Sequence, residues 1–239
     1  MPMQRARRLA SVAVVASVAV AGLSACRSEP SVAAYVGSTK ITESAVQDVL
    51  TDAKTKLTAA GAATAVPIKT TDVVSALLSA RVLAEIAKQQ SLSLPADLGL
   101  GEYASSLQLP ADAEYVRLFA EADGYVKLLR QGVKSAPEPT DADLREVFDV
   151  LASAGQVGDT TFDQFKTQLP AQNKQLVQTA IAVRKEISDT AGKMHIRVNP
   201  KYQPVGVPVL QFQTNEREVR PLISAPLGSD DISPVTDLR

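Results

Sequence analysis

The chain contains a single cysteine, Cys26, and this residue closes an N-terminal apolar segment. One cysteine excludes an internal disulfide, so packing of side chains must hold the fold together. With one histidine as well, the composition excludes a conventional Cys/His zinc site. Hydrophobic residues make up 45% of the chain but aromatic residues only 4%. We therefore expect a helical core built from small aliphatic side chains.

The segment before Cys26 has the organisation of a secretory signal peptide. A basic cluster of Arg5, Arg7 and Arg8 precedes an uncharged run from Leu9 to Leu23. A membrane-spanning helix needs roughly 20 apolar residues, so this run is short for a permanent span. The pair of adjacent arginines is faintly similar to a twin-arginine signal, but the residues around it do not complete that pattern. The general secretory route is therefore favoured.

The end of this segment resembles a bacterial lipobox, with Leu23, Ser24 and Ala25 before Cys26. The resemblance implies that the Cys26 thiol receives a diacylglycerol and that the signal peptide, residues 1–25, is removed. A thiol suits this reaction because it is a good nucleophile near neutral pH. An ordinary signal peptide followed by a chance cysteine is the alternative. Two acyl chains, such as palmitate, would anchor the protein stably on the extracytoplasmic face of a cell membrane.

Removing residues 1–25 takes away three arginines and no acid, which changes the formal net charge from −1 to −4. This mildly acidic balance gives no electrostatic reason to expect nucleic-acid binding. Residues 26–31 are polar and contain Pro30, which is typical of a short tether between a lipid and a domain.

Residues 32–203 have mainly helical periodicity. A short β-favouring segment, Ala33 to Val36, comes first and is followed by a turn at Gly37-Ser38. Helices are predicted after Thr42, from Thr71 to Gln90, from Ala111 to Gln131, after Thr140, after Thr161, and beyond Pro170 as far as Gly192. The residues from Ala96 to Leu109 are compatible with either a loop or a short helix.

The periodicity changes to two between Met194 and Val198, which predicts a strand. A lone strand cannot satisfy its backbone, so this segment should pair with Ala33 to Val36. The predicted fold is mainly α: a multi-helix domain whose ends are joined by a small two-stranded β element. Residues 204–239 form a Pro-rich tail in which Val207 to Phe212 is a candidate strand. Disorder is expected after about Glu216.

Three segments resemble the N-terminal domain of SurA/PrsA-type foldases, a family of exported chaperones: AAYVGSTKIT, VVSALLSARVLAEIAKQQSLSL and PEPTDADLREVFD. A fourth, HIRVNPKY, is similar to a strand and turn near the end of SurA-like actinobacterial lipoproteins. The four segments are spread between Ala33 and Tyr202, so the resemblance spans most of the chain after Cys26. The resemblance implies a SurA N-terminal-like domain over residues 32–203.

In these families a parvulin-type prolyl isomerase domain often follows the helix that opens at PTDADL. Here the residues from Asp141 to Gly192 are too few for that domain and are predicted to be helical, without a sheet. Parvulin sites commonly use paired histidines, whereas this chain has His195 alone. The resemblance therefore implies the chaperone part without the isomerase.

No residue is predicted to be catalytic, to bind a cofactor or to ligate a metal. His195 has no recognisable nucleophile near it and is expected on the outward face of a strand, which favours a solvated residue over a general base. Acids at the start of one helix suit its dipole and lack the spacing of a calcium loop: Asp141, Asp143, Glu146 and Asp149. Candidates for lining a client groove are aromatic, although aromatic residues on helical faces usually belong to the core: Tyr35, Phe119, Tyr125, Phe148, Phe162 and Phe165.

The sequence thus predicts a non-enzymatic lipoprotein that binds unfolded or partly folded exported polypeptides at the membrane. An envelope adaptor that docks onto one partner would share the same sequence features. A solute-binding lipoprotein would need two α/β lobes, and the small number of predicted strands disfavours it.

Overall fold

The computed structural model describes residues 31–62, 65–215 and 219–228. The predicted signal peptide, Cys26 and most of the predicted tether lie outside these residues. The described part contains seven helices and five strands: β1 (Val32–Val36), β2 (Thr39–Thr42), α1 (Glu43–Ala59), α2 (Thr70–Gln90), α3 (Leu100–Leu107), α4 (Glu114–Gly132), α5 (Asp141–Ser153), α6 (Phe162–Gln168), α7 (Ala171–Lys193), β3 (Ile196–Val198), β4 (Gly206–Gln213) and β5 (Val219–Pro226). The predicted mainly α fold is confirmed.

The two ends of the helical region are joined by a small antiparallel sheet of order β2-β1-β3. Ala34 lies opposite Val198, which confirms the predicted pairing of the first and last strands. The sheet has three strands instead of two because β2 folds back on β1 through a tight turn. Gly37 has a φ of 58° in this turn, a conformation that glycine adopts without steric cost. Asn199 extends the connection, since its backbone N–H donates to Ala33 O at 2.9 Å.

Local capping sets several helix starts where the sequence predicts them. The Thr42 hydroxyl accepts a hydrogen bond from the N–H of Ala45 at 3.1 Å, which begins α1. Thr140 and Thr161 begin α5 and α6 in the same way, and each exchanges a reciprocal hydrogen bond with the residue three positions later. The ambiguous stretch after Ala96 contains the short helix α3.

Helix α2 lies at the centre of the packing and contacts α1, α4, α7 and β4. Its inward side chains are fully buried and aliphatic: Val73, Val74, Leu78, Val82 and Leu83. Helix α4 packs tightly on the loop after α2 at Gly124, where an added Cβ would lie 2.8 Å from Leu94 Cδ2. A larger residue at this position would force the Leu94 side chain to move.

The Pro-rich C-terminal region forms an ordered hairpin of β4 and β5 that packs against α7. The predicted strand from Val207 to Phe212 is confirmed. The expectation of disorder after about Glu216 is wrong for residues 219–228. Alternate residues of the hairpin point into the core: Val207, Val209, Ile223, Ala225 and Leu227 are at most 3% exposed. Their burial stabilises a segment whose polar and proline-rich composition suggests disorder. The final residues, 229–239, lie outside the described part.

Replacement of Ile223 by alanine tests whether the hairpin belongs to the core. Ile223 is 1% exposed, so Ile223→Ala should lower the free energy of unfolding by about 2–5 kcal/mol. The matched control on the same strand is Val219→Ala, since Val219 is 51% exposed, and its effect should stay within about 0.5 kcal/mol. Urea unfolding followed by circular dichroism measures both values. Equal, negligible effects would mean that the hairpin does not pack as described.

Candidate binding cleft

A cleft of about 1500 Å³ opens between the helices and the C-terminal hairpin. One wall comes from α2, α3 and α4, and the other from β4, β5 and the middle of α7. Pockets for small ligands usually enclose about 300–1000 Å³. The cleft is therefore larger than a typical small-molecule site.

Helix α2 forms the floor of the cleft with small side chains. These residues, Asp72, Ser75, Ala76 and Ser79, recur at the i, i+3, i+4, i+7 spacing of one helical face. Ser79 turns inward and donates its hydroxyl proton to the backbone O of Ser75 at 2.6 Å. Because the side chains are short, an occupant can approach the helix closely.

Helix α4 contributes an aromatic pair, Tyr115 and Phe119, whose ring centroids are 6.4 Å apart. Tyr115 is only 6% exposed, yet its hydroxyl has no hydrogen-bond partner among the described residues. Burial, and then the negative charge of Asp72, raise the pKa of Tyr115. The phenol is therefore neutral at physiological pH and presents an O–H donor to the cleft.

A polar cluster of Tyr103, Asp123 and Lys127 joins α3 to α4 at the rim of the cleft. The Tyr103 hydroxyl donates to Asp123 Oδ2 at 2.6 Å, and Lys127 Nζ donates to Tyr103 Oη at 3.1 Å. Lys127 Nζ also lies 2.8 Å from Asp123 Oδ2. Burial, and then the hydrogen bond to Asp123, raise the pKa of Tyr103, so this phenol also stays neutral. The cluster holds the short helix α3 in place beside the cleft.

A second polar contact ties α5 to α7 where Arg184 lines the cleft. Its guanidinium donates to Asp143 Oδ1 at 2.8 Å and to Glu146 Oε2 at 2.6 Å. Burial alone would raise the pKa of Asp143, but hydrogen bonds from Thr140 and the charge of Arg184 lower it overall. Two of the four acids at the start of α5, Asp143 and Glu146, thus make contacts between elements as well as suiting the helix dipole.

The hairpin wall is rich in proline: Pro204, Pro208, Pro221 and Pro226 line the cleft. Proline has no backbone N–H, so these positions cannot extend the hydrogen bonding of the sheet to an added strand. These four positions therefore offer carbonyl acceptors but no backbone donors to the cleft.

The aromatic residues predicted to line a groove have different positions in the structure. Phe119 does line the cleft. Phe148, Phe162 and Phe165 instead pack together between α5 and α6, with centroid distances from Phe148 of 5.8 and 5.4 Å. Tyr35 lies on the three-stranded sheet, and Tyr125 is half-buried on α4 without lining the cleft.

Two aromatic residues of the site, Tyr103 and Tyr115, were not singled out from the sequence. The spacing of Tyr115, Phe119 and Ala122 is a helical i, i+4, i+7 pattern that marks one face, but it does not distinguish a cleft from a core. His195 is exposed, as predicted, but it lies in a turn before β3 with a φ of 50° and not within the strand.

Within the described residues, no group of three or more His, Cys, Asp or Glu side chains is placed to hold a metal ion. In the same part of the chain, none of the helices combines the length and apolarity needed to cross a bilayer. No protein-family model, curated protein or solved structure matches the chain. The resemblance to SurA/PrsA-type foldases therefore stays a prediction.

The two cleft tyrosines should respond differently to removal of their hydroxyls. Tyr103→Phe breaks hydrogen bonds to charged groups and should lower the free energy of unfolding by about 1.5–3 kcal/mol. Tyr115→Phe removes no internal hydrogen bond and should change it by less than about 0.5 kcal/mol. Urea unfolding of both variants checks this contrast. A clear loss of stability in Tyr115→Phe would mean that its hydroxyl has a partner inside the protein.

Proposed function

We propose that this chain is a membrane-anchored lipoprotein that holds unfolded or partly folded exported polypeptides in the cleft, without catalysing a reaction. The observation that carries the proposal is the size and lining of the cleft. It is large enough for a polypeptide segment, and its lining combines apolar surface with scattered neutral hydrogen-bonding groups. Such a surface can accept segments of varied sequence.

The lining suits a peptide backbone better than a single small metabolite. Serine and glutamine side chains such as Ser75, Gln108 and Gln211 donate and accept hydrogen bonds without a fixed charge. Aliphatic and aromatic neighbours such as Phe119 and Val207 provide apolar contact for client side chains. Exposed apolar surface of this kind marks interaction sites.

Tyr115 is the residue we assign to client recognition. Its neutral O–H group faces the cleft without an internal partner, and a peptide carbonyl is the acceptor that every client supplies. The hydroxyl is not one of the buried polar atoms that lack a partner, so it reaches the open space of the cleft. A client carbonyl can accept its hydrogen bond whatever the sequence of the client's side chains.

The lipobox at Leu23 to Cys26 supports the anchoring part of the proposal. Six peptide units separate Cys26 from Val32, so a lipid on Cys26 would hold the first strand within about 20 Å of the membrane surface. Exported polypeptides emerge at this surface. The proposed location is therefore the extracytoplasmic face of the cell membrane.

Two other functions are alternatives to the chaperone: a solute-binding lipoprotein and an envelope adaptor. A solute-binding lipoprotein would need two α/β lobes, whereas the described residues are mainly helical with two small sheets. An envelope adaptor that binds one folded partner remains an alternative. It differs from a chaperone because it would not protect an unrelated unfolded protein.

Client binding can be measured with an unfolded exported polypeptide that contains tryptophan, because this chain has none. We expect the protein to delay aggregation of the client at several-fold excess and to change the client's tryptophan fluorescence. Tyr115→Phe should weaken binding by about 2- to 10-fold, the equivalent of one hydrogen bond. Tyr125→Phe on the same helix is the matched control and should bind normally. No delay of aggregation by the wild-type chain would rule out the chaperone function.

Anchoring can be tested by mass spectrometry of the mature N-terminus and by cell fractionation. We expect an N-terminal Cys26 that carries acyl chains, and a protein found in the membrane fraction. Cys26→Ala should prevent acylation and cleavage at this site, because only a thiol accepts the lipid. Mature Cys26→Ala protein that still begins at residue 26 and stays in the membrane would contradict the proposal.

A further inference from the structure

We propose that the outer face of the three-stranded sheet β2-β1-β3 docks onto the anionic phospholipid headgroups of the membrane. The inference goes beyond client binding and concerns how the domain is oriented. It rests on the anchoring part of the proposed function, because the anchor supplies the membrane surface.

The sheet and its flanks form a basic region in an otherwise acidic chain. Residues 31–43 and 192–203 contain four basic residues, Lys40, Lys193, Arg197 and Lys201, and one acid, Glu43, which pairs with Lys201. The chain from Cys26 onward has a net charge of −4 and this region carries +3, so its remaining residues carry −7. The positive charge is therefore concentrated on this sheet, whose central strand β1 directly follows the predicted tether.

Three side chains form a row across the outer face of this sheet. Tyr35 on the central strand lies opposite Lys40 on one neighbour and Arg197 on the other. Lys40 Nζ is 5.8 Å and Arg197 Cζ is 4.9 Å from the centroid of the Tyr35 ring. Lys40 and Arg197 are exposed. The adjacent positions Ala34, Ile41 and Val198, at most 3% exposed, face the core. The row therefore points away from the core.

The composition of the row matches a membrane interface. Tyrosine favours the headgroup region because its ring is apolar and its hydroxyl is polar. A lysine or arginine near an anionic leaflet gains about 1 kcal/mol. The nearby carboxylate of Glu43 forms an ion pair with Lys201, whose Nζ lies 2.9 Å from Glu43 Oε1. The ion pair weakens the repulsion between this carboxylate and anionic headgroups.

The short distance along the chain between Cys26 and the sheet favours a bilayer as the partner of this face. The described part begins at Ser31, and Val32 starts the central strand of the same sheet. Because Cys26 lies at most about 20 Å from Val32, the sheet is held close to the headgroups whenever Cys26 is attached to lipid. High local concentration then allows a few weak charge contacts to orient the domain.

The test uses the proposed mature chain, which begins at Cys26, with a Tyr35→Trp substitution that introduces the only tryptophan. Coupling Cys26 to a maleimide-bearing lipid attaches the chain to vesicles without relying on acylation in the cell. The vesicles contain phosphatidylcholine with or without phosphatidylglycerol, and brominated acyl chains report contact by quenching. We expect a blue-shifted, quenched emission in the phosphatidylglycerol vesicles. High salt should reverse most of it, because salt screens the charges.

Charge variants of the Tyr35→Trp chain test whether Lys40 and Arg197 cause the quenching. Lys40→Ser and Arg197→Ser should each lower the ratio of docked to undocked protein about fivefold. Lys54→Ser, which removes an exposed lysine of α1, is the control and should leave quenching unchanged. A Phe162→Trp probe on α6, without the Tyr35 substitution, should not be quenched. Circular dichroism confirms that every variant is folded.

Absence of quenching of the Tyr35→Trp probe in the coupled chain would overturn the inference. Equal quenching in vesicles without phosphatidylglycerol, or no effect of the two charge variants, would also overturn it. Each of these results would leave client binding and acylation of Cys26 unaffected, since those are measured separately.

Discussion

The fold depends on the packing of α2, because no internal disulfide is available to a chain with one cysteine. One side of this helix is fully buried through Val74, Leu78 and Leu83 against its neighbouring helices. The first turns of the same helix present Asp72 and Ser75 to the cleft. Any change that shifts α2 would therefore alter both the stability of the core and the floor of the candidate site.

The cleft exists because three pieces of chain distant in sequence are held at its sides. Helix α3 is positioned on α4 by the Tyr103–Asp123 hydrogen bond, and α5 is joined to α7 through Arg184. The hairpin that forms the opposite wall is seated by buried residues such as Ile223. These contacts leave an open space whose lining combines apolar surface, neutral polar groups and a few charged side chains such as Asp72 and Arg184. The proposed binding of unfolded polypeptides follows from that lining, and the proposed orientation follows from the sheet beside the tether.

Local sequence predicts an element well when the capping residue or periodicity that specifies it lies within a few residues of the element. Thr42, Thr140 and Thr161 start helices because a side-chain oxygen accepts a hydrogen bond from an N–H three residues later. The change to alternating periodicity near Met194 predicts β3, and pairing of lone strands predicts its partner. The order of the hairpin is hard to predict, because its prolines and polar residues suggest disorder. Alternate residues of the hairpin are buried only because it packs against α7, and local sequence does not reveal that contact.

Three features can be predicted from the sequence alone: the helical character of the domain, the positions of most helix starts and the closure of its ends by strands. These depend on periodicity and capping within a few residues. The sequence also predicts a lipobox at Leu23 to Cys26, which is a short contiguous pattern. The packing of the helices is needed to show that Tyr115 faces a cleft while neighbouring apolar residues face the core, because both positions have the same helical spacing. The tertiary structure likewise placed Lys40 and Arg197 on either side of Tyr35, because strand register joins residues far apart in the chain.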